Sequence, residues 1–159
     1  MPYQPLDSFA KAWIFKRSDP LIQPDDLAEI KPFSELRANQ VWRDYISQER
    51  VHPDHLNQKD WPQDPTSIGL NLDWQVRWES DEEALPDELL THLSHWQDDN
   101  LVYFCYHQDH VVETSFGVFK RSWKNFLFFD NGPLLLGKKK KQGVQFFSNG
   151  TCTLLTKAV

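Results

Sequence analysis

All six histidines of the 159-residue chain fall in pairs of the form His-x-x-His. The pairs are His52/His55, His92/His95 and His107/His110. His107 and His110 flank a tight turn between two predicted strands, so their side chains should lie side by side on one face. A regular strand places Cys105 on that face as well. Because a cysteine and two histidines can hold zinc or another divalent metal, Cys105, His107 and His110 form a candidate metal site.

The alternative is that these residues are structural. The histidines would then be half-exposed polar side chains beside aromatic rings, and Cys105 would be a small buried hydrophobic residue. We therefore expect no required cofactor, with binding of a divalent metal as the alternative.

Glu113 stands out among the carboxylates. In a regular hairpin with its turn at Gln108-Asp109, Glu113 faces Phe104 on the side that carries Val102, Tyr106 and Val111. A carboxylate among apolar side chains can act as a general acid or base, which makes Glu113 the candidate catalytic residue. The alternative is a glutamate at a strand edge, paired with a lysine or arginine.

Two groups of basic residues form a candidate anion site. They are Lys120, Arg121 and Lys124 on a predicted helix beside Trp123, and Lys138, Lys139, Lys140 and Lys141 in a nearby loop. Clustered cations beside an aromatic ring can bind a phosphate backbone or an anionic metabolite. The whole chain carries a net charge of −6, however, which argues against nucleic acid as the partner. Lysines that protect a sheet edge are the alternative.

Several motifs of known chemistry are missing from the sequence. It has no glycine-rich phosphate loop, no Gly-x-Ser-x-Gly, no Cys-x-x-Cys and no His-Glu-x-x-His. The chain contains only six glycines, which leaves little room for loops that surround a nucleotide. No complete catalytic set can be recognised.

Length and composition predict one domain over residues 1–159 in the cytoplasm. A chain of this size can bury a core without a metal or disulfide, and its two cysteines do not make a disulfide framework. The first residues lack the basic start and apolar stretch of a signal peptide, and no apolar run could span a bilayer. The first 100 residues have a net charge of −11 and the remainder +5, which indicates either complementary halves or separate interaction faces.

The first half of the chain predicts mainly helices. We expect a strand over 11–16, a short helix over 25–30, a longer helix from the N-cap Ser34 to His52-Pro53, and a helix from Pro86 to near Trp96. Leu36, Val41, Trp42, Tyr45 and Ile46 should form the buried face of the longer helix. Residues 53–70 are irregular and anchored by Trp61, and 71–79 fit a strand and a helix equally well.

The second half predicts an antiparallel meander. Strands are expected over 101–107, 110–115, 125–129, 133–137, 144–148 and 151–156, with a helix over 116–124 capped by Ser115 or Thr114. The last hairpin should carry Phe147, Cys152 and Leu154 on one face and Val144, Phe146 and Leu155 on the other. Because both faces are apolar, one should meet the helices and the other a second layer, from the N-terminal region or a second subunit.

These elements predict an α+β fold. An antiparallel sheet of five or more strands, with a C-terminal meander, would pack against helices from the N-terminal half.

Several segments also resemble a known family. They include Ala12-Trp-Ile-Phe-Lys16, His52-Pro-Asp-His55, Lys59-Asp-Trp-Pro62, Val102-Tyr-Phe-Cys-Tyr106, Glu113-Thr114, residues 117–128 and residues 135–141. Together they are similar to the bacterial family known as domain of unknown function 2947, found mainly in gammaproteobacteria. The resemblance covers nearly the whole chain and implies a free-standing cytoplasmic protein. It implies no activity and no site residues.

Two classes of function remain, and the first is preferred. The protein is either a non-enzymatic interaction or regulatory protein, with a protein partner or a second copy of itself, or a small enzyme or metal-binding protein centred on the 101–115 hairpin. Exposed tryptophan clusters would favour the first class. A concave pocket that contains Glu113 and a histidine would favour the second.

Overall fold

The computed structural model describes residues 2–128 and 131–157, and its strands form a single open sheet of seven. They are β1 (Lys31–Pro32), β2 (Ile68–Asp73), β3 (Leu101–His107), β4 (His110–Ser115), β5 (Leu134–Gly137), β6 (Gln142–Phe146) and β7 (Thr151–Thr156). The sheet order is β1-β4-β3-β5-β6-β7-β2, and every pair is antiparallel. The predicted α+β class and C-terminal meander are confirmed.

Five α-helices accompany the sheet in the described ranges. They are α1 (Pro24–Leu27), α2 (Glu35–Tyr45), α3 (Gln75–Glu79), α4 (Asp87–His92) and α5 (Phe116–Phe126). The longest, α2 and α5, have 11 residues each. A bilayer span needs about 20 apolar residues, and none of the described helices meets that requirement.

Both faces of the sheet are covered by the chain itself. On one face, α4, α5 and the N-terminal turns bury an aromatic core around Phe104. On the other face, α2 packs Val41 and Trp42 against Tyr103 and Cys105. The N-terminal region therefore supplies the second layer that the two-sided apolar strands require.

The predicted faces of the last hairpin were wrong. In the β6–β7 register, Val144 lies opposite Leu154 and Phe146 opposite Cys152, so these four side chains share the aromatic core. Leu155 belongs to the core beneath α2. Side chains alternate between the two faces along a strand. A register that is wrong by one residue at the turn therefore places every residue of one strand on the wrong face.

The predicted strand over 11–16 was also wrong. Ala12–Phe15 is a short 3-10 helix that buries Ile14 and Phe15, while Trp13 remains 48% exposed. β-Branched and aromatic residues favour strands only where a neighbouring strand is present, and this segment packs on α5 instead.

The ambiguous segment 71–79 contains both predicted structures in succession. Strand β2 ends at Asp73, and α3 begins two residues later at Gln75. The Asp73 side chain accepts a hydrogen bond from the Val76 amide at 3.0 Å, which marks the change from strand to helix. Leu70, in the middle of β2, is 65% exposed.

Helix α2 begins where the sequence predicts and ends earlier. The Ser34 hydroxyl accepts a hydrogen bond from the Arg37 amide at 3.3 Å, as an N-cap should. The helix stops at Tyr45, and the Trp42 indole N–H donates to the Arg50 carbonyl at 2.6 Å, so the following segment folds back over it. Leu36, predicted on the buried face, is 74% exposed.

Helix α5 replaces the start of the predicted strand 125–129. Its last two residues are Asn125 and Phe126, and Phe129 lies outside the described residues. The buried Asn125 amide donates hydrogen bonds to the Ile14 carbonyl at 2.9 Å and the Pro20 carbonyl at 3.0 Å. These partners stabilise the last turn of the helix. They are distant in the sequence, so the local pattern of residues cannot predict them.

Replacing Ser115 with alanine should destabilise the protein by about 1 kcal/mol. The Ser115 hydroxyl caps α5 by accepting from the Val118 amide at 3.2 Å, and alanine leaves that amide without its partner. Urea unfolding followed by circular dichroism measures the change. Ser148→Ala, at an exposed loop position, is the control and should leave the unfolding midpoint unchanged. An equal effect of the two substitutions would show that the cap contributes nothing.

Candidate functional site

The β3–β4 hairpin contains a β-bulge next to its turn. His107 lies opposite His110 as predicted, with ring centroids 5.8 Å apart. Cys105, two residues before His107, lies opposite Val111, only one residue after His110. Tyr106 is therefore an extra residue in β3, and the remainder of the hairpin is shifted by one position relative to a regular ladder.

The bulge separates Cys105 from the two histidines. Cys105 is buried in the core beneath α2, and burial raises the pKa of its thiol well above the usual value. A thiol that keeps its proton is a poor metal ligand. Among residues 2–128 and 131–157, no three His, Cys, Asp or Glu side chains are arranged to hold a metal ion. The predicted trio Cys105, His107 and His110 is therefore not brought together.

Glu113 lies on the opposite face from the one predicted. The shifted register pairs it with Tyr103 instead of Phe104. The side chain is 7% exposed, and the Tyr3 hydroxyl donates a hydrogen bond to its Oε1. Glu113 is thus a buried carboxylate with a phenol partner, and it does not share a cavity with a histidine in the cavities described below.

The basic residues of α5 are engaged within the chain. Lys120 forms an ion pair with Asp98 at 2.6 Å, and Arg121 makes two hydrogen bonds of 2.9 Å to Asp26. Lys124 donates to the Ser80 carbonyl at 2.8 Å. In the loop, Lys138 is half-buried, and Lys139, Lys140 and Lys141 are exposed. No hydrogen bond or ion pair joins the two groups within the described ranges.

A cavity of about 340 Å³ opens between β4 and the start of α5. It contains Glu113, Lys31 and Arg121, together with Asp98 and Thr114. The Thr114 hydroxyl has no hydrogen-bond partner among the described atoms. Arg121 and Asp98 already pair with Asp26 and Lys120, and Glu113 accepts from Tyr3, so three charged groups of this cavity are engaged within the chain.

The histidines form a second cluster that no single segment contains. The loop after α2 brings His52 against the β3–β4 turn, where its ring centroid lies 5.6 Å from that of His107. The His55 ring lies 5.2 Å from that of His52 on the outer side. His92 lies elsewhere, where its Nε2–H donates to the Leu155 carbonyl at 2.9 Å.

Three hydrogen bonds fix the two histidine-bearing loops, and the first of them joins the loops directly. The Gln108 amide donates to the Val51 carbonyl at 2.9 Å, directly beside both histidines. The buried Gln145 side chain donates to the Pro53 carbonyl at 3.2 Å. On the other side of the turn, the Asn39 amide group of α2 donates to the Asp109 carboxylate at 2.8 Å. The rings are therefore held by backbone and side-chain bonds that are independent of a ligand.

The two loops repeat one tetrapeptide with the same geometry. Both read His-x-Asp-His, as His52-Pro-Asp-His55 and His107-Gln-Asp-His110. In each, Nδ1 of the first histidine accepts the backbone N–H of the aspartate two residues on, at 3.1 Å and 3.2 Å. In each, the aspartate Oδ2 lies 3.9 Å from that Nδ1. A neutral imidazole that accepts at Nδ1 carries its proton on Nε2.

Lys11 fixes the same tautomer on His110. The Lys11 Nζ lies 3.1 Å from His110 Nδ1. Since a lysine ammonium is a donor only, Nδ1 of His110 is the acceptor and Nε2 again carries the proton. The Phe9 ring packs at right angles to the His110 ring, with centroids 5.8 Å apart. Three imidazoles of the cluster thus present an N–H at Nε2.

These groups line a cavity of about 250 Å³. Its lining residues are Lys11, His52, Tyr106, His107, Asp109, His110, Asn131 and Pro133. The Tyr106 hydroxyl is directed to the Phe126 carbonyl at 2.6 Å, so the ring and not the hydroxyl contributes to the lining. The cavity combines a small apolar surface with several hydrogen-bond donors, which is the usual composition of a ligand site.

Burial lowers the pKa of three groups in this cavity. For His52 and His110, loss of hydration lowers the pKa below the usual value. Lys11 and the neighbouring histidines lower it further, and the carboxylates of Asp54 and Asp109 offset part of the effect. Loss of hydration also lowers the pKa of Lys11. Near neutral pH the two imidazoles are therefore uncharged, which agrees with their hydrogen-bonding pattern.

Residues 3–154 match a family model described as "Protein of unknown function (DUF2947)". The chain belongs to this family. No curated protein and no solved structure matches the chain. The resemblance predicted from the sequence is therefore confirmed for this DUF2947 protein.

Sequence reasoning found part of the DUF2947 histidine cavity. It paired His107 with His110 and missed both His52 and Lys11. The signal for His52 was present, because only two of the three His-x-x-His pairs have an aspartate at the third position, and those two meet in space. Lys11 had no such signal, since its segment was assigned to a strand.

Proposed function

We propose that this DUF2947 protein is a cytoplasmic binding or regulatory protein that holds a small oxyanion-bearing metabolite in the histidine cavity. The observation that carries the proposal is the shared hydrogen-bonding state of His52, His107 and His110. Each accepts at Nδ1 from a group of the protein, which leaves an Nε2–H donor for a ligand. Carboxylate, phosphate and sulfate oxygens accept such donors. Two free, buried cysteines are consistent with a reducing compartment.

A divalent metal fits the same nitrogens less well. A metal takes the lone pair of Nε2, which requires the ring proton to move to Nδ1. In His52 and His107 the backbone N–H of Asp54 or Asp109 already points at Nδ1. Metal binding would replace two favourable hydrogen bonds with two opposed donors, whereas an anion leaves both bonds in place.

The size and charge of the cavity define the ligand further. A volume of about 250 Å³ suits a small metabolite. Lys11 adds a cationic group at one side, and Asp109 is directed toward Asn39. A regulatory role requires that metabolite binding be passed on. We propose that a protein partner or a second subunit responds to the bound metabolite.

Replacing His107 with asparagine should weaken sulfate binding by about tenfold or more. The Asn Oδ1 takes the place of Nδ1 and still accepts the Asp109 amide, because this i to i+2 bond is the ordinary Asx turn. The variant therefore keeps the loop and loses only the Nε2–H donor. Isothermal titration calorimetry with sodium sulfate measures the dissociation constant, and the unfolding midpoint verifies the fold.

Two further variants make the measurement specific. His107→Gln restores an N–H donor near the position of Nε2 and should recover part of the affinity. His95→Asn, at an exposed histidine outside the cavity, should bind sulfate as the unmodified protein does. The proposal would be contradicted, and the metal site favoured, if the unmodified protein retained zinc through purification and dialysis and did not bind sulfate.

A further inference from the structure

We propose that the ligand carries a carbonyl group beside its oxyanion and that Lys11 forms a reversible imine with it. This inference rests on the proposed function, because the imidazole donors position the oxyanion. Lys11 Nζ lines the same cavity as His52 and His107 and lies 3.1 Å from Nδ1 of His110. An amine, an adjacent base and donors for an anionic group are thus combined in one small cavity.

The surroundings of Lys11 increase the fraction of its amine that is uncharged. The side chain is half-buried between Tyr106 and His110, with Nζ 5.8 Å from the centre of the Tyr106 ring. Loss of hydration lowers the pKa of this amine, so a larger fraction is unprotonated at neutral pH than for an exposed lysine. Desolvation of this kind is how lysines become nucleophiles in enzymes that form imines.

The proposed reaction balances without an oxidant or reductant. The nitrogen lone pair of neutral Lys11 adds to the carbonyl carbon, and the nitrogen proton that faces His110 passes to Nδ1. The C=O bonding pair moves to oxygen, which takes a proton from solvent water to become a hydroxyl. His110 returns its proton to that hydroxyl, which leaves as water while the nitrogen lone pair forms the C=N bond, and the imine nitrogen releases its remaining proton to solvent. Overall, one amine and one carbonyl give one imine and one water, and hydrolysis reverses the step.

The ligand class follows from the positions of the donors. Lys11, His52 and His107 line one cavity of about 250 Å³. A small molecule whose oxyanion is held by the Nε2–H groups of His52 and His107 can therefore also reach Lys11. A 2-oxo acid places a carboxylate directly beside a carbonyl. Glyoxylate is the smallest such compound and is therefore the appropriate probe.

Reductive trapping tests the imine directly. The protein is incubated at neutral pH with limiting glyoxylate and sodium cyanoborohydride, and peptide mass mapping follows the labelling rate of each lysine. We expect Lys11 to be labelled about tenfold faster than the exposed Lys59, which serves as the internal reference. Lys11→Arg keeps the cation and should abolish the fast phase without changing the labelling of Lys59.

Three controls distinguish a built site from a merely reactive amine. Acetaldehyde, which lacks the carboxylate, should label Lys11 with little preference over Lys59. Sulfate should protect Lys11 from glyoxylate. His110→Asn, which keeps an acceptor for Lys11 but no base, should slow labelling at Lys11 while Lys59 is unaffected.

The outcomes separate the two proposals. If the protein binds sulfate but Lys11 is labelled no faster than Lys59, the imine proposal is overturned and the proposal of an anion cavity stands. Equal preference for acetaldehyde and glyoxylate at Lys11 would also overturn it, because the carboxylate would then have no role. Selective labelling by glyoxylate with protection by sulfate would support both.

Discussion

Replacing Phe104 with alanine is expected to lower the free energy of unfolding by about 3–5 kcal/mol. Phe104 is fully buried at the centre of the aromatic core. Its ring centroid lies 4.9 Å from that of Tyr106, 5.0 Å from that of Phe126 and 5.5 Å from that of Phe119. Truncation removes the transfer free energy of the ring and leaves a cavity that three large neighbours cannot fill.

Urea unfolding followed by far-ultraviolet circular dichroism measures this loss. Leu36→Ala, at a residue that is 74% exposed on α2, is the matched control and should change stability by less than about 0.5 kcal/mol. A loss below about 1 kcal/mol for Phe104→Ala would contradict the central position of the ring. Since Tyr106 packs on Phe104, the variant should also weaken sulfate binding in the adjacent cavity.

Sulfate affinity should rise as the pH is lowered from neutral toward about 6, by up to about tenfold per unit where one proton is taken up on binding. In the free protein, burial lowers the pKa of His52 and His110, so both are largely neutral at pH 7.5. A bound dianion favours the imidazolium form of His110 and raises its pKa, while His52 stays neutral because its Nδ1 still accepts the Asp54 amide. Between the free and bound pKa values, each sulfate therefore binds together with about one proton, and binding tightens as the pH falls.

The surrounding charges permit this protonation. Lys11 and His107 oppose an added positive charge on His110, while the Asp109 carboxylate favours it. Calorimetry in buffers of different ionisation enthalpy counts the proton taken up, and sulfate is used because it does not titrate in this range. His110→Asn should flatten the dependence and His95→Asn should not. If the sulfate affinity does not change across this pH range, the anion cavity as described is refuted.

The fold could be predicted where local pattern and tertiary structure agree. Strands β3 and β4 have the predicted bounds, because 101–107 and 110–115 are apolar runs on either side of a two-residue turn. The segment 11–16 has the composition of a strand but no strand to pair with, and its neighbour α5 decides its conformation. Likewise, Asn125 remains helical because of carbonyls more than 100 positions earlier in the chain.

The site was less predictable because it depends on register and on distant loops. The spacing of His107 and His110 across a turn correctly predicted their contact. Nothing local indicates that Tyr106 is an extra residue, and without the bulge Cys105 and Glu113 were assigned to the wrong faces. The contact between His52 and His107 joins positions 55 apart, so only the repeated His-x-Asp-His could have suggested it.

The extra residue in β3 also has a consequence at the level of the gene. Tyr106 occupies one codon, and its removal would restore an uninterrupted ladder between Cys105 and His107 opposite Val111 and His110. The same deletion would remove the aromatic wall of the cavity and a buried ring of the core, because Tyr106 packs on Phe104 and donates to the Phe126 carbonyl. One codon therefore contributes both to the enclosure of a ligand and to the stability of the fold.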